Sequence, residues 1–148
     1  MKFLSATSRY LGDSEHFGVT YGDGLTDANL SEELAFHLGH DKLGTVRGVN
    51  PPSRLGEFKL DGENVLEFAE KPELTEKWIN GGYFFFRRDF CKYLVDDESL
   101  VLEQAPLSSL AKDQQLSVYK HSGFWQCMDT QRDREYLDGL WKSGKAPW

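Results

Sequence analysis

Several features that would assign this 148-residue chain to a familiar class are scarce or missing. Basic residues are outnumbered by acidic ones, and the formal net charge is −7, which disfavours a nucleic-acid partner because such a partner requires a basic face. No apolar run reaches the roughly 20 residues that a membrane-spanning helix needs. The segment Met1–Ser5 becomes polar too early for a secretion signal. The sequence therefore predicts a protein that binds neither nucleic acid nor membrane.

Cysteine is also scarce. The chain has Cys91 and Cys127 alone, and their separation matches neither a metal-binding nor a redox motif. Reduced cysteines that pack in a core are typical of cytoplasmic proteins. The sequence therefore predicts two reduced cysteines in a cytoplasmic protein.

Signatures of nucleophilic catalysis are missing as well. No Ser-His-Asp order with an elbow motif is present, and no Gly-rich phosphate loop precedes the first predicted strand. His16 and His121 have no obvious partner in the sequence. His37 and His40 have a spacing that suits metal binding, but at a helix end without a third ligand they favour solvated surface. The missing nucleophile and base suit a reaction in which the protein positions the reactants and neutralises their charge.

Aromatic residues, in contrast, are abundant, with ten Phe, six Tyr and four Trp. The length suits one domain with one core, so residues 1–148 are predicted to form a single domain. Apolar and β-branched runs alternate with helical patterns, which predicts an α/β fold. The predicted strands are Phe17–Tyr21, Leu43–Val49, Phe58–Leu60, Val65–Phe68, Trp78–Phe86, Leu116–Lys120 and Gly123–Met128.

The predicted helices have apolar faces of their own. Leu30, Leu34 and Leu38 recur every four residues and predict the inner stripe of a helix that begins at Asp27 or Asn29. Further helical patterns cover Met1–Leu11, Arg88–Val95, Leu100–Lys112 with a break at Pro106, and a C-terminal helix that uses Tyr136, Leu137, Leu140 and Trp141.

Two predicted strands end in an aspartate. Asp23 stands between Gly22 and Gly24, and Asp129 follows the strand Gly123–Met128. Carboxylates about 4 Å apart repel by roughly 4 kcal/mol at an effective dielectric of ~20, and a cation turns that cost into a binding site. Ligands that are all oxygen favour Mg²⁺ completed by water and substrate phosphates. On spacing alone, two separate acids that never meet are an equally good interpretation.

Lys71 is the natural partner for a phosphate group. It follows Glu70 and precedes Pro72, which stiffens the turn and fixes the direction in which the lysine leaves. Lysine acts toward phosphate as a point charge, and Glu70 suits hydrogen bonds from sugar hydroxyls. The alternative is a surface Glu-Lys pair after a hairpin.

Other candidate contacts have equally plain alternatives. Gly56 and the pair Gly81-Gly82 can bring bare backbone against a small polar ligand, or can mark a bulge or tight packing. Trp125 suits a sugar face or a core, and Arg54 suits a phosphate or solvent. A phosphate monoester that attacks a nucleoside triphosphate needs no general base, because its oxygen is already anionic. Two acids on Mg²⁺ with one lysine would form part of such a site.

In this order, the motifs resemble the sugar-phosphate nucleotidylyltransferases, and most of all those that join CTP and glucose 1-phosphate. The resemblance runs from about Tyr10 to Trp148 and is carried by Tyr21-Gly22-Asp23-Gly24, Arg54-Leu55-Gly56, Glu70-Lys71-Pro72, Asn80-Gly81-Gly82, Phe124-Trp125-Gln126-Cys127-Met128-Asp129-Thr130 and the tail Ser143–Trp148. It implies a Rossmann-like three-layer nucleotidylyltransferase fold with a mixed, mostly parallel central sheet. It also implies the Mg²⁺-dependent synthesis of CDP-glucose and pyrophosphate, which feeds deoxysugars of bacterial lipopolysaccharide O antigen.

The resemblance implies a role for each matching residue. Asp23 and Asp129 would bind Mg²⁺, and Lys71 would hold the sugar phosphate. The substrate contacts would come from Gly22 near the nucleotide, from Gly56, Glu70 and Gly82 at the hexose, and from Arg54, Asn80 and Trp125.

The sequence departs from the family at its N-terminal side. The Gly-rich loop, the Arg and Lys that hold the triphosphate and the base-reading residues have no counterpart. We therefore expect a C-terminal portion of the fold that carries the sugar-phosphate and metal half of the site. An apolar edge strand before Asp23 would invite self-association into a homo-oligomer. The alternatives are a non-catalytic sugar-phosphate-binding or assembly module derived from the enzyme, and an unrelated α/β domain.

Overall fold

The computed structural model describes residues 11–50, 57–69, 78–94 and 99–148, with backbone alone for 57–60 and 67–69. The strands in these ranges are β1 (His16–Thr20), β2 (Gly24–Thr26), β3 (Gly44–Val49), β4 (Glu57–Asp61), β5 (Asn64–Ala69), β6 (Ile79–Arg87), β7 (Leu116–His121) and β8 (Trp125–Cys127). The helices are α1 (Leu30–Leu38), α2 (Ala105–Lys112), α3 (Gln131–Lys142) and a 3₁₀ helix (Arg88–Tyr93). Each predicted strand is present, with ends shifted by a few residues. No helix in the described ranges is long and apolar enough to cross a membrane.

By backbone proximity, the described residues divide into two compact units. Unit 1 contains 11–22, 29–47, 81–94 and 99–119, and unit 2 contains 23–28, 48–50, 57–69, 78–80 and 120–148. The single domain expected from chain length stays a prediction.

The largest sheet has the strand order β1-β6-β3-β7 and is mixed, as expected for this α/β fold. β1 is antiparallel to β6, with a register that runs from His16 opposite Arg87 to Thr20 opposite Tyr83. Among the described strands β1 has β6 as its one neighbour, so the strand before Asp23 is an edge strand.

Aromatic side chains form the core of unit 1. The buried residues of this cluster are Phe17, Phe84, Phe86, Phe90, Leu102 and Leu110. The rings of Phe86 and Phe90 stack with centroids 3.9 Å apart. Alternation along β6 buries Phe84 and Phe86 completely and leaves Tyr83 and Phe85 half-buried on the other face. Burial of each phenylalanine contributes roughly 1.5–3 kcal/mol.

The leucine stripe predicted for the inner face of α1 was wrong. Leu30 and Leu38 are 51% and 53% exposed, whereas Glu33 and His37 are completely buried. Glu33 and His37 are themselves four residues apart, so the same period suits either face of the helix. Asn29 is the N-cap and accepts a hydrogen bond from the Ser31 amide at 3.0 Å.

Polar partners on β3 explain why α1 buries its polar face. Arg47 Nε donates to Glu33 Oε2 at 2.9 Å, and both side chains are fully buried. The Arg47 guanidinium also lies 3.9 Å from the centroid of the Tyr83 ring. Thr45, two residues earlier on the same face of β3, contacts His37. A buried ion pair is tolerated because both charges are matched within it.

The histidines at the end of α1 are also not on the surface, contrary to expectation. His40 Nδ1 accepts from the Lys42 amide at 3.1 Å, so in the neutral ring Nε2 carries the proton and donates to Thr45 Oγ1 at 2.8 Å. The Thr45 hydroxyl then donates to His37 Nδ1 at 2.9 Å, and His37 Nε2 donates to His16 Nδ1 at 3.0 Å. One backbone amide thus sets the tautomers of a chain of three histidines.

Burial, with smaller effects from the neighbouring His16, His40 and Arg87, lowers the pKa of His37 from 6.5 to about 4. Burial lowers the pKa of His40 as well, assisted by Arg87 and Lys42. Both rings are therefore neutral at pH 7 in the folded chain, in agreement with the tautomers assigned from the hydrogen bonds.

Three helical predictions need correction. The segment from Arg88 forms a 3₁₀ helix that ends at Tyr93. Pro106 does not break a helix but lies in the first turn of α2, where its missing N–H has no partner to lose. In α3 Leu137 is buried, but Tyr136 and Trp141 are 49% and 67% exposed. The helix predicted for Met1–Leu11 lies outside the described residues except for Leu11.

The described residues of unit 2 include two antiparallel pairs of strands. β4 and β5 form the predicted hairpin, in which Asp61 lies opposite Asn64 and Gly62 has a φ of 60° in the turn. β2 and β8 form a short ribbon, in which Gly24 lies opposite Cys127 and Thr26 opposite Trp125.

Gly82 lies inside β6 rather than at an interruption of it. Its φ is +77°, and a Cβ there would lie 2.7 Å from Cδ2 of Tyr21. Tyr21 is held beside it, because its amide donates to Gly82 O at 2.9 Å and its hydroxyl donates to Glu103. Positive φ and a close approach each require glycine at this position.

The chain should become less stable as the pH is lowered, because of His37. In the unfolded chain the pKa of His37 is about 6.5, so its ring is protonated as the pH falls below that value. In the folded chain the ring stays neutral down to about pH 4. The free energy of unfolding should therefore fall by roughly 1–2 kcal/mol between pH 7 and pH 5 on account of this side chain. Urea unfolding at the two pH values checks this, with His37→Gln expected to lose less than wild type. Equal losses in the two proteins would contradict it.

Gly82→Ala should destabilise the fold. The alanine would have a left-handed backbone conformation, and its methyl group would clash with the Tyr21 ring. Together these effects should lower the free energy of unfolding by at least about 2 kcal/mol. Gly22→Ala is the matched control, because nothing lies within 4 Å of a Cβ at Gly22 and its φ is not positive. Thermal unfolding of both variants measures the difference, and an equal melting temperature would refute the requirement for glycine.

Candidate functional site

The two candidate acids leave the same end of the β2–β8 ribbon in unit 2. Beyond the pair of Gly24 and Cys127, the Met128 amide donates to the Asp23 carbonyl at 2.8 Å. Asp23 is therefore opposite Met128, and Asp129 is the next residue along the chain. Both aspartates are exposed. Backbone pairing thus brings together two acids from opposite ends of the sequence.

The described residues supply no basic partner to either aspartate. Within the described ranges neither Asp23 nor Asp129 forms an ion pair with a basic side chain. Asp129 accepts one weak hydrogen bond, from Cys127 Sγ to its Oδ2 at 3.1 Å. Two exposed aspartates therefore lie at neighbouring backbone positions at one end of the ribbon.

The donor set fits a hard divalent cation. Carboxylate oxygens are the ligands that Mg²⁺ prefers, and Mg²⁺ is usually bound through one or two carboxylates with water and phosphate oxygens completing the octahedron. In the part of the chain that the structure describes, no group of three or more His, Cys, Asp or Glu side chains is arranged around a common point. A cation held by Asp23 and Asp129 would therefore take its other ligands from water or substrate.

Trp125 lies on the same side of the ribbon as Asp129. Side chains two residues apart on a strand share a face, so Trp125 and Cys127 point the same way. The thiol of Cys127 contacts Asp129, which identifies this face as the one that carries the acid. Trp125 pairs with Thr26, two residues before Cys127 on β8, and is half-buried.

The turn that presents Asp129 is built on a capping box. Thr130 is the N-cap of α3: its hydroxyl accepts from the Asp133 amide at 3.2 Å, and Asp133 Oδ2 accepts from the Thr130 amide at 3.1 Å. Asp133 is 6% exposed, and its Oδ1 accepts from Gln126 Nε2 at 3.1 Å. The sequence analysis missed Asp133, although Thr130-x-x-Asp133 is the pattern of a capping box.

An aspartate–histidine pair closes the other end of the ribbon. His121 Nε2 lies 2.8 Å from Asp27 Oδ1, and the Asp27 amide donates to the Phe124 carbonyl at 3.2 Å. A Cβ at Gly123 would lie 2.6 Å from Asp27 Oδ1, so a larger residue here would displace the carboxylate or the ring of this pair. The sequence showed no partner for His121, because the two residues are 94 positions apart.

The remaining predicted site residues are only partly accounted for. Asn80 is exposed near the start of β6 in unit 2, and Gly22 and Gly82 belong to unit 1. The phosphate- and hexose-contacting candidates Arg54, Gly56, Glu70 and Lys71 lie outside the described residues.

Comparisons with known proteins identify relatives of the chain. A family model described as nucleotidyl transferase matches residues 4–132. The glucose-1-phosphate cytidylyltransferase of Salmonella typhi is 41% identical over 145 residues, which cover 98% of this chain and 56% of that protein. The probable glucose-1-phosphate cytidylyltransferase of Bacillus subtilis is 35% identical over 139 residues, which cover 94% and 54%.

Solved structures support the fold. The crystal structure of HddC from Yersinia pseudotuberculosis superposes with a TM-score of 0.63 at 16% identity, over 93% of this chain and 60% of that one. The Rossmann-like nucleotidylyltransferase fold with a mixed sheet is thereby confirmed. The chain spans about half the length of the curated relatives it matches. Because the family model covers most of its residues, the chain belongs to the nucleotidyl transferase family.

Proposed function

We propose that this chain carries the sugar-phosphate and metal half of a glucose-1-phosphate cytidylyltransferase site, which forms CDP-glucose and pyrophosphate from CTP and glucose 1-phosphate. The observation that carries the proposal is the convergence of Asp23 and Asp129 at one end of the β2–β8 ribbon, held by the bond from Met128 N to Asp23 O. The 41% identity to the Salmonella typhi enzyme supports the choice of substrates.

The proposed reaction suits a site without a general base. A phosphate oxygen of glucose 1-phosphate attacks the α-phosphorus of CTP, the bond from that phosphorus to the bridging oxygen breaks, and pyrophosphate leaves with the electron pair. The attacking oxygen is already anionic, so the protein has to position the reactants and balance their charge. Mg²⁺ on Asp23 and Asp129, when bound, would neutralise phosphate charge.

The other residues of the proposal follow the family motifs. Lys71 would hold the sugar phosphate as a point charge, with Glu70, Gly56 and Gly82 at the hexose. Gly22 would lie near the nucleotide, and the substrate contacts Arg54, Asn80 and Trp125 complete the set.

The cellular setting is also part of the proposal. We infer a cytoplasmic protein, a setting that suits Cys91 and Cys127 because neither forms a disulfide. Self-association through the edge strand β1 would give the expected homo-oligomer. The product would feed the synthesis of lipopolysaccharide O antigen.

Removal of one metal-binding carboxylate should abolish turnover. Asp129→Asn keeps the size of the side chain but removes its charge, so pyrophosphate release from CTP, Mg²⁺ and glucose 1-phosphate should fall at least about 100-fold. Asp138→Asn on α3 is the matched control, because Asp138 is 53% exposed and pairs with Lys142 away from the ribbon end. Unchanged pyrophosphate release in Asp129→Asn would refute the assigned role.

Binding of glucose 1-phosphate separates catalysis from mere recognition. Calorimetric titration should detect binding that strengthens with Mg²⁺ and weakens about tenfold or more in Lys71→Ala, because a phosphate loses its cation. Lys142→Ala, on the exposed face of α3, should bind as wild type does. Binding without pyrophosphate release would favour the non-catalytic sugar-phosphate-binding module. Absence of binding in the presence of Mg²⁺ would contradict both functions.

A further inference from the structure

The connection between β8 and α3 consists of two residues, Met128 and Asp129, followed by the N-cap Thr130. It is held on both sides of Asp129. Before it, the Met128 amide donates to Asp23 O at 2.8 Å. After it, the Thr130 amide donates to Asp133 Oδ2 at 3.1 Å. The backbone of an exposed acid is thus fixed by its neighbours.

A bridge of two side chains joins the strand and helix ends that flank Asp129. Gln126 Nε2 donates both to the Cys127 carbonyl at 2.8 Å and to Asp133 Oδ1 at 3.1 Å. Asp133 Oδ2 in turn accepts from the amide and, at 2.8 Å, from the hydroxyl of Thr130. We call these two residues the Gln126–Asp133 bridge.

The bridge contains more than a helix cap requires. The capping box uses Oδ2 of Asp133 alone, because that oxygen receives the Thr130 amide. The second oxygen, Oδ1, accepts a hydrogen bond from Gln126, a residue of β8. Because Asp133 is 6% exposed, its charge needs these hydrogen bonds in order to be buried at all. The contact from Gln126 therefore fixes the helix end relative to the strand end.

We propose that Gln126 and Asp133 are positioning residues that hold Asp129 ready for a divalent cation, an inference that rests on the proposed function. An exposed carboxylate on a mobile turn would lose backbone freedom when a cation binds, and this loss of entropy would weaken binding. A turn that is already fixed avoids that loss. Residues that orient metal ligands typically change metal affinity or activity 10–100-fold when they are replaced.

Gln126→Ala tests the bridge. The readout is the affinity of the full chain for Mn²⁺ alone, measured from the free-ion signal in electron paramagnetic resonance, beside the free energy of unfolding. We expect about tenfold weaker Mn²⁺ binding in Gln126→Ala. Gln126→Glu, which keeps the size but places a second carboxylate against Asp133, should weaken binding at least as much and serves as the second variant should the first fail to fold.

Two matched controls separate positioning from stability. Gln131→Ala removes a glutamine whose Nε2 donates to Glu135 on the exposed face of α3 at 3.0 Å. Asn29→Ala removes the N-cap of α1 in unit 1, which should lower the stability of the chain. Both controls should bind Mn²⁺ as wild type does.

The outcomes distinguish this inference from the function on which it rests. Mn²⁺ binding that is lost in Asp129→Asn but unchanged in Gln126→Ala and Gln126→Glu would overturn the positioning role and leave the metal site intact. Equal weakening in Asn29→Ala and Gln126→Ala would also overturn it, since loss of stability alone would then explain the effect. Wild-type protein that binds no Mn²⁺ through Asp129 would overturn the metal site and the positioning role together.

Discussion

The pairing of β2 with β8 is the interaction on which the candidate site depends. It joins one strand from the first quarter of the chain to another near its end, and the bond from Met128 N to Asp23 O extends it by one step. Without that register the two aspartates would be unrelated acids on separate loops. A slip of one residue would turn every side chain of β8 to the opposite face, so the register decides which residues accompany Asp129.

The two units place their polar groups in opposite ways. In unit 1 the buried pair of Glu33 and Arg47, together with the histidine chain through Thr45, lies between α1 and β3. Such groups contribute little net stability, but they match one helix face to one strand face and disfavour other packings. Among the residues of unit 2 whose side chains are described, Asp133 is the buried charged group, and the other Asp, Glu, Lys and Arg side chains are exposed. Burial in unit 1 specifies the packing of a helix on a strand, and in unit 2 it fixes the turn that carries Asp129.

Sequence patterns predicted what is local and missed what depends on a distant partner. The hairpin about Asp61-Gly62 was predicted because its turn chemistry is contained in adjacent residues. The inner face of α1 was not, because a period of four fits Leu30 and Leu38 as well as Glu33 and His37, and Arg47 and Thr45 decide between them from another strand. The partner of His121 was not predicted either, because Asp27 is 94 positions away in the sequence. The two candidate acids were predicted from the strands that they follow, and the order of family motifs implied their role, which stays a prediction. Asp133 has a local capping pattern, Thr130-x-x-Asp133, that the prediction did not use.

The partners of the acidic side chains bear on the cation site proposed at the ribbon end. Asp27, Asp89 and Asp138 each lie within 4 Å of a basic or histidine nitrogen, and Asp133 has its carboxylate filled by hydrogen bonds. Asp129 receives a single bond from a thiol, a weak donor, and the described residues supply no cation to Asp23. Two anionic groups at neighbouring backbone positions repel each other unless something positive lies between them. In the proposed function, a divalent ion would supply that positive charge at a turn whose backbone is already held by hydrogen bonds on both sides of Asp129.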